Sequence, residues 1–201
     1  MEMMAPRVAA IVLAAGQSRR MGRPKLTLPW GQTTVIGQVT AVLSAAGAQP
    51  VVVVCGAAEE EIRSALAGSN AAITRNLNYL RGDMLVSLQH GLKALPEAVG
   101  AVLVALGDQP QIELPVVQQV IRRFTEYKVN LVVPSFQMRR GHPWLMERIY
   151  WPEVLAMGED QSLRDFLGRH AQEINYVEVP NDSILKDLDT PEAYDSEKPS
   201  Y

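Results

Sequence analysis

The stretch Leu13-Ala14-Ala15-Gly16-Gln17-Ser18-Arg19-Arg20-Met21-Gly22-Arg23-Pro24-Lys25 combines two features that suit a polyphosphate. Small side chains at Ala14, Ala15 and Gly16 let the backbone approach a ligand closely, and Gly16 is free to take a positive φ. Successive backbone N–H groups in such a turn form a concave anion site. Arg19, Arg20, Arg23 and Lys25 then place four cations within seven residues, with no acid among them. That charge density matches a nucleoside triphosphate. Further along, Asp108 follows an apolar run through Gly107, and Asp187 and Asp189 precede Thr190-Pro191-Glu192. Mg²⁺ binds through few carboxylates, several waters and substrate phosphate oxygens, so one or two of Asp108, Asp187 and Asp189 suffice to hold it. The competing reading of Asp189 is a helix cap before Pro191, which fits a first helical position.

Two other phosphate motifs are absent. Gly16 and Gly22 are one residue too far apart for a Walker loop, and Arg-Pro-Lys follows where Lys-Ser or Lys-Thr is required. Gly16 is followed by Gln17-Ser18, so the dinucleotide fingerprint is missing as well, which weakens an NAD(P) oxidoreductase. A nucleotide sensor without catalysis is a third class, and the presence together of Lys25, Asp108 and Asp189 speaks against it.

These residues need elements to position them. Apolar, β-branched runs occur at Val8–Leu13, Pro50–Cys55, Ala71–Arg75, Ala101–Leu106 and Leu131–Pro134, and Ile174–Val179 alternates as an edge strand would. Helical spacing lies between them: Val35, Val39, Val42 and Leu43; Ile62 and Leu66; Leu85, Leu88 and Leu92; Val116, Val120 and Phe124. Strands apolar throughout must be covered on both faces. The expected fold is therefore a Rossmann-like, three-layer α/β domain with a mostly parallel sheet. Ligands in such sheets bind beyond the strands' carboxyl ends. That singles out Ala14–Lys25, Asn76–Met84 and Gly107–Pro110. Asn76, Asn78, Gly82, Asp83, Met84 and Ser87 occupy the loop after the third strand, and a helix starting near Asp83 would aim N–H groups at the site. From Ser135 to about His170 the rhythm breaks, predicting an inserted substructure in the C-terminal half that covers the site.

The 201 residues suit one domain, with an ordered core over about 8–194 and flexible ends at 1–7 and 196–201. A net charge of −3, from 19 basic and 22 acidic residues, argues against a nucleic-acid partner. The absence of an 18-residue apolar run argues against a membrane helix, and Met1–Arg7 is no secretory signal; a cytoplasmic protein is the expectation. The single cysteine, Cys55, excludes an internal disulfide and reads as a buried structural thiol.

The loop Leu13-Ala14-Ala15-Gly16-x-Ser18-x-Arg20-Met21-Gly22-x-x-Lys25 resembles the signature of nucleotidyltransferases built on a Rossmann-like domain. With Gly107-Asp108-Gln109-Pro110, Arg140-Gly141-His142-Pro143 and Asp187-Leu188-Asp189-Thr190-Pro191-Glu192, the chain resembles the molybdenum cofactor cytidylyltransferases, relatives of the guanylyltransferases of the same pathway. The resemblance runs from about Val8 to Tyr194. Guanylyl relatives read Leu-Ala-Gly-Gly in the loop; Ala15 stands at the first of those glycines, as in the cytidylyl branch.

The resemblance implies that the terminal phosphate of molybdopterin, with or without molybdenum, attacks the α-phosphorus of CTP and releases pyrophosphate. Guanylyl transfer and transfer onto a sugar or polyol phosphate are the rival reactions. It implies Mg²⁺, with Mn²⁺ as the substitute, on Asp108 and on Asp187 or Asp189. Arg19, Lys25 and Asp108 are the catalytic candidates. Leu13, Ala14, Ala15, Gly16, Ser18, Arg20, Lys25, Asn76, Gly82, Met84 and Ser87 are the nucleotide-binding candidates. Arg140, Gly141, His142 and Pro143 are candidates for the acceptor, with the pterin phosphate as their contact and no metal role for His142. A molybdenum hydroxylase or its chaperone would receive the product. The acceptor phosphate is already an anion, so no general base is needed.

Overall fold

Hydrophobic periodicity and sheet position together decide this architecture. The computed structural model describes residues 6–16, 18–79 and 84–199; the Arg19 side chain also falls outside the description, as do Gly82 and Asp83. Strand β1 (Arg7–Ala14) is buried at every position after Arg7. A small antiparallel pair, β2 (Pro29–Trp30) and β3 (Thr33–Thr34), precedes α1 (Val35–Ala45). The alternation continues through β4 (Val51–Cys55), α2 (Glu59–Ala65), β5 (Ala72–Arg75), α3 (Met84–Ala94), β6 (Val99–Leu106), α4 (Leu114–Tyr127) and β7 (Leu131–Phe136). Then come β8 (Arg139–Arg140), β9 (Trp144–Glu147), α5 (Trp151–Ala156), α6 (Leu163–Arg169), β10 (Ile174–Glu178) and α7 (Pro191–Glu197).

The main sheet runs β10-β7-β9-β6-β1-β4-β5, with β8 paired to β7. β1 is parallel to β4 on one side and to β6 on the other, so the winding direction reverses there. β10 is the edge strand, as its alternation predicts. Odd and even residues of each strand feed opposite faces. Ala10, Val12, Val53 and Leu103 pack under α1 and α4, whereas Ile11, Val54, Val102 and Val104 pack under α3, α5 and α6. The α3 helix presses so closely on β1 that a Cβ at Gly91 would lie 2.7 Å from the Ile11 side chain.

One expectation needs refining. The segment 135–170 does not simply cover the site. It sends β9 antiparallel into the sheet between β6 and β7, and buries Trp144 and Trp151 in the core beneath α5 and α6. A four-residue strand of mixed apolar types carries too short an alternation to be read. The α7 helix runs to Glu197, capped by the Thr190 hydroxyl on the Ala193 amide and extended by a Lys198–Asp195 pair. Among the described residues no helix is long and apolar enough to cross a membrane.

Candidate active site

The reversal at β1 opens a crevice between the loops that leave β1 and β6, where a doubly wound sheet binds its ligand. The Gly107 amide donates to the Leu13 carbonyl at 3.0 Å and clamps the two loops together. A Cβ at Gly107 would lie 3.2 Å from that same carbonyl and from the Ile36 side chain, so a larger residue before Asp108 would crowd the clamp. Above the clamp lies a cleft of about 800 Å³.

Of the first-loop candidates, Leu13, Ala14, Ala15, Gly16, Ser18, Arg20 and Lys25 all line this cleft. The left-handed turns are not at Gly16 but at Ser18 (φ 48°) and Gly22 (φ 64°), flanking the one-turn helix Arg19–Met21. The Ser18 hydroxyl accepts the Lys25 amide at 3.3 Å and closes the loop on itself. A serine can hold this conformation where its side chain satisfies a local donor. The four-cation cluster divides: Arg20 and Lys25 face the cleft, while Arg23 turns to the Tyr194 ring of α7, 5.9 Å from its centroid.

Lys25 is 8% exposed, unusually deep for a lysine. Its Nζ donates to Asp108 Oδ2 at 2.5 Å and to Asp189 Oδ1 at 2.8 Å. Burial opposes its charge, but the two carboxylates outweigh that and hold its pKa above the usual lysine value. Arg20 reaches the other Asp189 oxygen at 2.6 Å. For Asp189, too, the Lys25 and Arg20 charges overcome burial and keep the carboxyl below its ordinary range. Asp187 behaves oppositely: burial, with Asp108 and Asp189 nearby, raises its pKa against the lowering effect of a Gln109 hydrogen bond. The helix cap is Thr190, so Asp189 is not used for capping. The three aspartates and one lysine thus meet at the carboxyl end of β6. Among the described residues no group of three or more His, Cys, Asp and Glu side chains is arranged as a metal cluster. Few carboxylates, with room for waters and substrate phosphate oxygens, are nonetheless the donor set that Mg²⁺ takes.

On the α3 side, Met84 and Ser87 line the cleft, as does Tyr79. Gly56 makes room: a Cβ there would lie 2.8 Å from the Ala15 carbonyl and 2.9 Å from the Tyr79 ring. Asn76 has a different task from the one its loop position suggests. It is 1% exposed, donates to the Ser87 hydroxyl at 3.1 Å and accepts the Asn78 amide at 2.9 Å. Both ends of its amide therefore serve the loop and fix Ser87. Gly82 lies outside the described residues.

Opposite lies the turn after β7. Arg140, Gly141 and His142 line the cleft, whereas Pro143 is buried behind them. Gly141 is pressed against Ile184, whose carbonyl would lie 2.5 Å from a Cβ and which accepts the His142 amide at 3.1 Å. Burial lowers the His142 pKa to about 4. Burial thus disfavours the charged imidazole, and the neutral ring that it favours is a hydrogen-bonding group rather than a cation. The cations on this side are Arg139, Arg140 and Arg164; Arg140 is braced by the Tyr176 hydroxyl at 2.8 Å. Arg164 carried no sequence signal, since only the fold brings α6 to the cleft; Tyr79 lies in the Asn76–Met84 loop but was not among its named candidates. Gln109 stood inside a recognised motif, but nothing in its type or spacing announced a role.

Comparison with known proteins matches residues 10–174 to the MobA-like NTP transferase domain. A nicotine blue oxidoreductase of Paenarthrobacter nicotinovorans is 26% identical, over 93% of this chain and 94% of its own. The molybdenum cofactor cytidylyltransferase of Escherichia coli K12 is 26% identical over 96% and 97%. A probable molybdenum cofactor guanylyltransferase of Mycobacterium avium is 33% identical over 91% of each. A crystal structure from Mycobacterium tuberculosis H37Rv shares the fold with a TM-score of 0.84 and 24% identity, covering 96% of this chain and 98% of its own.

Proposed function

The chain belongs to the MobA-like NTP transferase family and is a nucleotidyltransferase, and from that premise we propose that it moves CMP from CTP onto the terminal phosphate of molybdopterin. The observation that carries the reaction type is Lys25 held between Asp108 and Asp189 beneath the small-residue loop. This arrangement presents an ammonium, a guanidinium and carboxylates where a triphosphate would lie.

In this reading an oxygen of the acceptor phosphate attacks the α-phosphorus of CTP, and the bond to the β-phosphate oxygen breaks. Pyrophosphate leaves with that electron pair, and no proton has to move. The residues' work is alignment of two anions and neutralisation of charge. Leu13–Gly16 lay backbone along the nucleotide, and Ser18 holds the loop closed. Arg20 and Lys25 bind phosphate oxygens, with Arg19 as a further cation. Met84 and Ser87 border the sugar and base. Arg140 and His142 take the acceptor, the arginine by charge and the histidine by hydrogen bond. Asp108, with Asp187 or Asp189, would hold Mg²⁺ or Mn²⁺, which when bound neutralises charge on the phosphates.

Cytidylyl choice is supported by Ala15 in place of a glycine and by the likeness to the E. coli enzyme over nearly the whole chain. The guanylyl reading has the Mycobacterium avium relative in its favour. The name of one relative raises a reductase; the carboxylate–lysine cluster and the missing dinucleotide fingerprint oppose it. Incubation with each of the four nucleoside triphosphates, Mg²⁺ and molybdopterin, with pyrophosphate as the readout, tests the proposal; release dependent on CTP and molybdopterin is expected. Release with GTP alone, release only with a sugar or polyol phosphate, or NADPH oxidation without pyrophosphate would overturn it.

A further inference from the structure

Gln109 follows Asp108 in the turn after β6 and is 2% exposed at the wall of the cleft. Its Nε2 donates to Asp187 Oδ1 at 2.7 Å and to the Ile184 carbonyl at 3.5 Å. Its Oε1 is buried without a hydrogen-bond partner among the described residues. A buried carboxamide with one end unsatisfied costs stability that an apolar side chain of similar size would not. Packing therefore does not account for glutamine here.

The two aspartates near the end of the chain are held differently. Asp189 has a cation on each oxygen: Lys25 on Oδ1 at 2.8 Å and Arg20 on Oδ2 at 2.6 Å. Asp187 has one oxygen engaged among the described residues, and its partner is a neutral amide. An ammonium and a guanidinium neutralise a carboxylate. An amide N–H orients it and leaves its charge for something else, as outer-shell donors do around metal ligands.

We infer that Gln109 is a positioning residue that holds Asp187 as the second metal carboxylate beside Asp108, leaving Asp189 to hold Lys25 and Arg20. This rests on the nucleotidyltransferase reading above. The Leu188 amide donates to the Asp108 carbonyl at 3.0 Å, so the backbone that follows Asp187 runs alongside Asp108.

The test is Mn²⁺ binding, measured by the electron paramagnetic resonance of free Mn²⁺ without nucleotide, which would itself chelate the ion, with CTP affinity measured separately by calorimetry, together with thermal melting. Gln109→Leu should weaken Mn²⁺ binding roughly ten- to a hundredfold, the range seen when outer-shell partners are lost. It should melt no lower than the wild type. Asp187→Asn should lose at least as much affinity, and adding Gln109→Leu to it should lose little more. Asp189→Asn should keep Mn²⁺ affinity near the wild-type value while weakening the nucleotide. Wild-type Mn²⁺ affinity in Gln109→Leu, or equal losses in Asp187→Asn and Asp189→Asn, would overturn the inference. If Gln109→Leu does not fold, Gln109→Met, close in volume and without a donor, carries the same expectation. Asp108→Asn separates the two levels. Unchanged Mn²⁺ affinity there sinks the metal reading itself, whereas its loss alongside an unaffected Gln109→Leu sinks only the role of Gln109.

Discussion

Leu188 donates its backbone amide to the carbonyl of Asp108 at 3.0 Å, so the segment leading into α7 is laid along the turn that follows β6. A single backbone hydrogen bond thereby brings Asp187 and Asp189 to the residue that the sheet itself places at the switch point. The consequence is a division of the site into a fixed floor, made by the ends of β1 and β6, and a late addition from the C-terminal segment.

Asp108 is the first residue to test. Asp108→Asn keeps size and hydrogen-bonding shape but removes the charge that pairs with Lys25 and that, in the proposed reaction, a divalent ion would share. Turnover should fall at least roughly a hundredfold, the effect of losing one preorganised electrostatic group, with the circular dichroism spectrum and melting behaviour retained. Turnover within about threefold of the wild type, well under 1 kcal/mol of barrier, would rule the role out.

In the proposed reaction Lys25 reads phosphate rather than base. A charge-assisted hydrogen bond contributes about 1.5–3 kcal/mol, so Lys25→Ala should weaken CTP binding roughly ten- to a hundredfold. Cytidine, which has no phosphate, should bind the variant almost as it binds the wild type. Calorimetry with both ligands decides the matter, and equal losses would remove Lys25 from the phosphate site.

Much of this site was legible because its chemistry is concentrated in short segments. Small residues followed by cations at Ala14–Lys25, and an aspartate directly after a buried strand, announce themselves whatever the fold. Helix and strand faces were equally plain where the period is sustained, as at Leu85, Leu88 and Leu92. The remainder depends on contacts that no local pattern encodes. Asn76 resembles a loop ligand until burial shows its amide turned inward on Ser87. Gly16 invites a positive φ, but the chain takes it at Ser18 and Gly22 instead. The β9 strand is too short to show its period, and Arg164 reaches the cleft only once β9 has set α6 in place. His142 reads as a phosphate ligand in sequence; its burial disfavours the charged ring.

Away from the cleft, His170 should impose a pH dependence on stability. Its Nδ1 lies 2.7 Å from Glu173 and its Nε2 2.7 Å from Glu153, with Arg169 also on Glu153 and the Tyr150 hydroxyl on Glu173. Burial opposes protonation, but the two carboxylates prevail and raise the pKa above 6.5. A raised folded-state value means that the stabilisation is complete below pH 6.5 and fades as pH climbs through the higher folded value. Glu153 and Glu173 are lowered from 4.5, so their share is present above that pH and is lost on acidification. Thermal melts of wild type and His170→Gln should differ most between those limits and converge as the pH rises. A difference that does not shrink above pH 6.5 would show that the histidine acts through packing on Tyr150 and Phe166, with ring centroids 4.9 and 4.8 Å away, rather than through charge.

Base choice puts the family likeness and the physics in direct contest. Ala15 lines the cleft in the turn after β1, where guanylyl relatives carry glycine, and its carbonyl is fitted closely against Gly56. A methyl group there takes space near the nucleotide and narrows the φ range of the turn, which limits where its N–H and C=O groups can point. Selection then comes from excluding the larger base as well as from fitting the smaller one. Exclusion by one methyl-sized group is worth only about 1–3 kcal/mol. The wild type should therefore prefer CTP to GTP, and Ala15→Gly should relax that preference roughly ten- to a hundredfold at most. It should not reverse it, because Met84, Ser87 and Tyr79 stay where they are. The ratio of kcat/KM for CTP and GTP in the two proteins is the measurement. A wild type that prefers GTP would overturn the cytidylyl assignment. A ratio unmoved by Ala15→Gly would keep the assignment and shift the source of selectivity to the α3 side of the cleft.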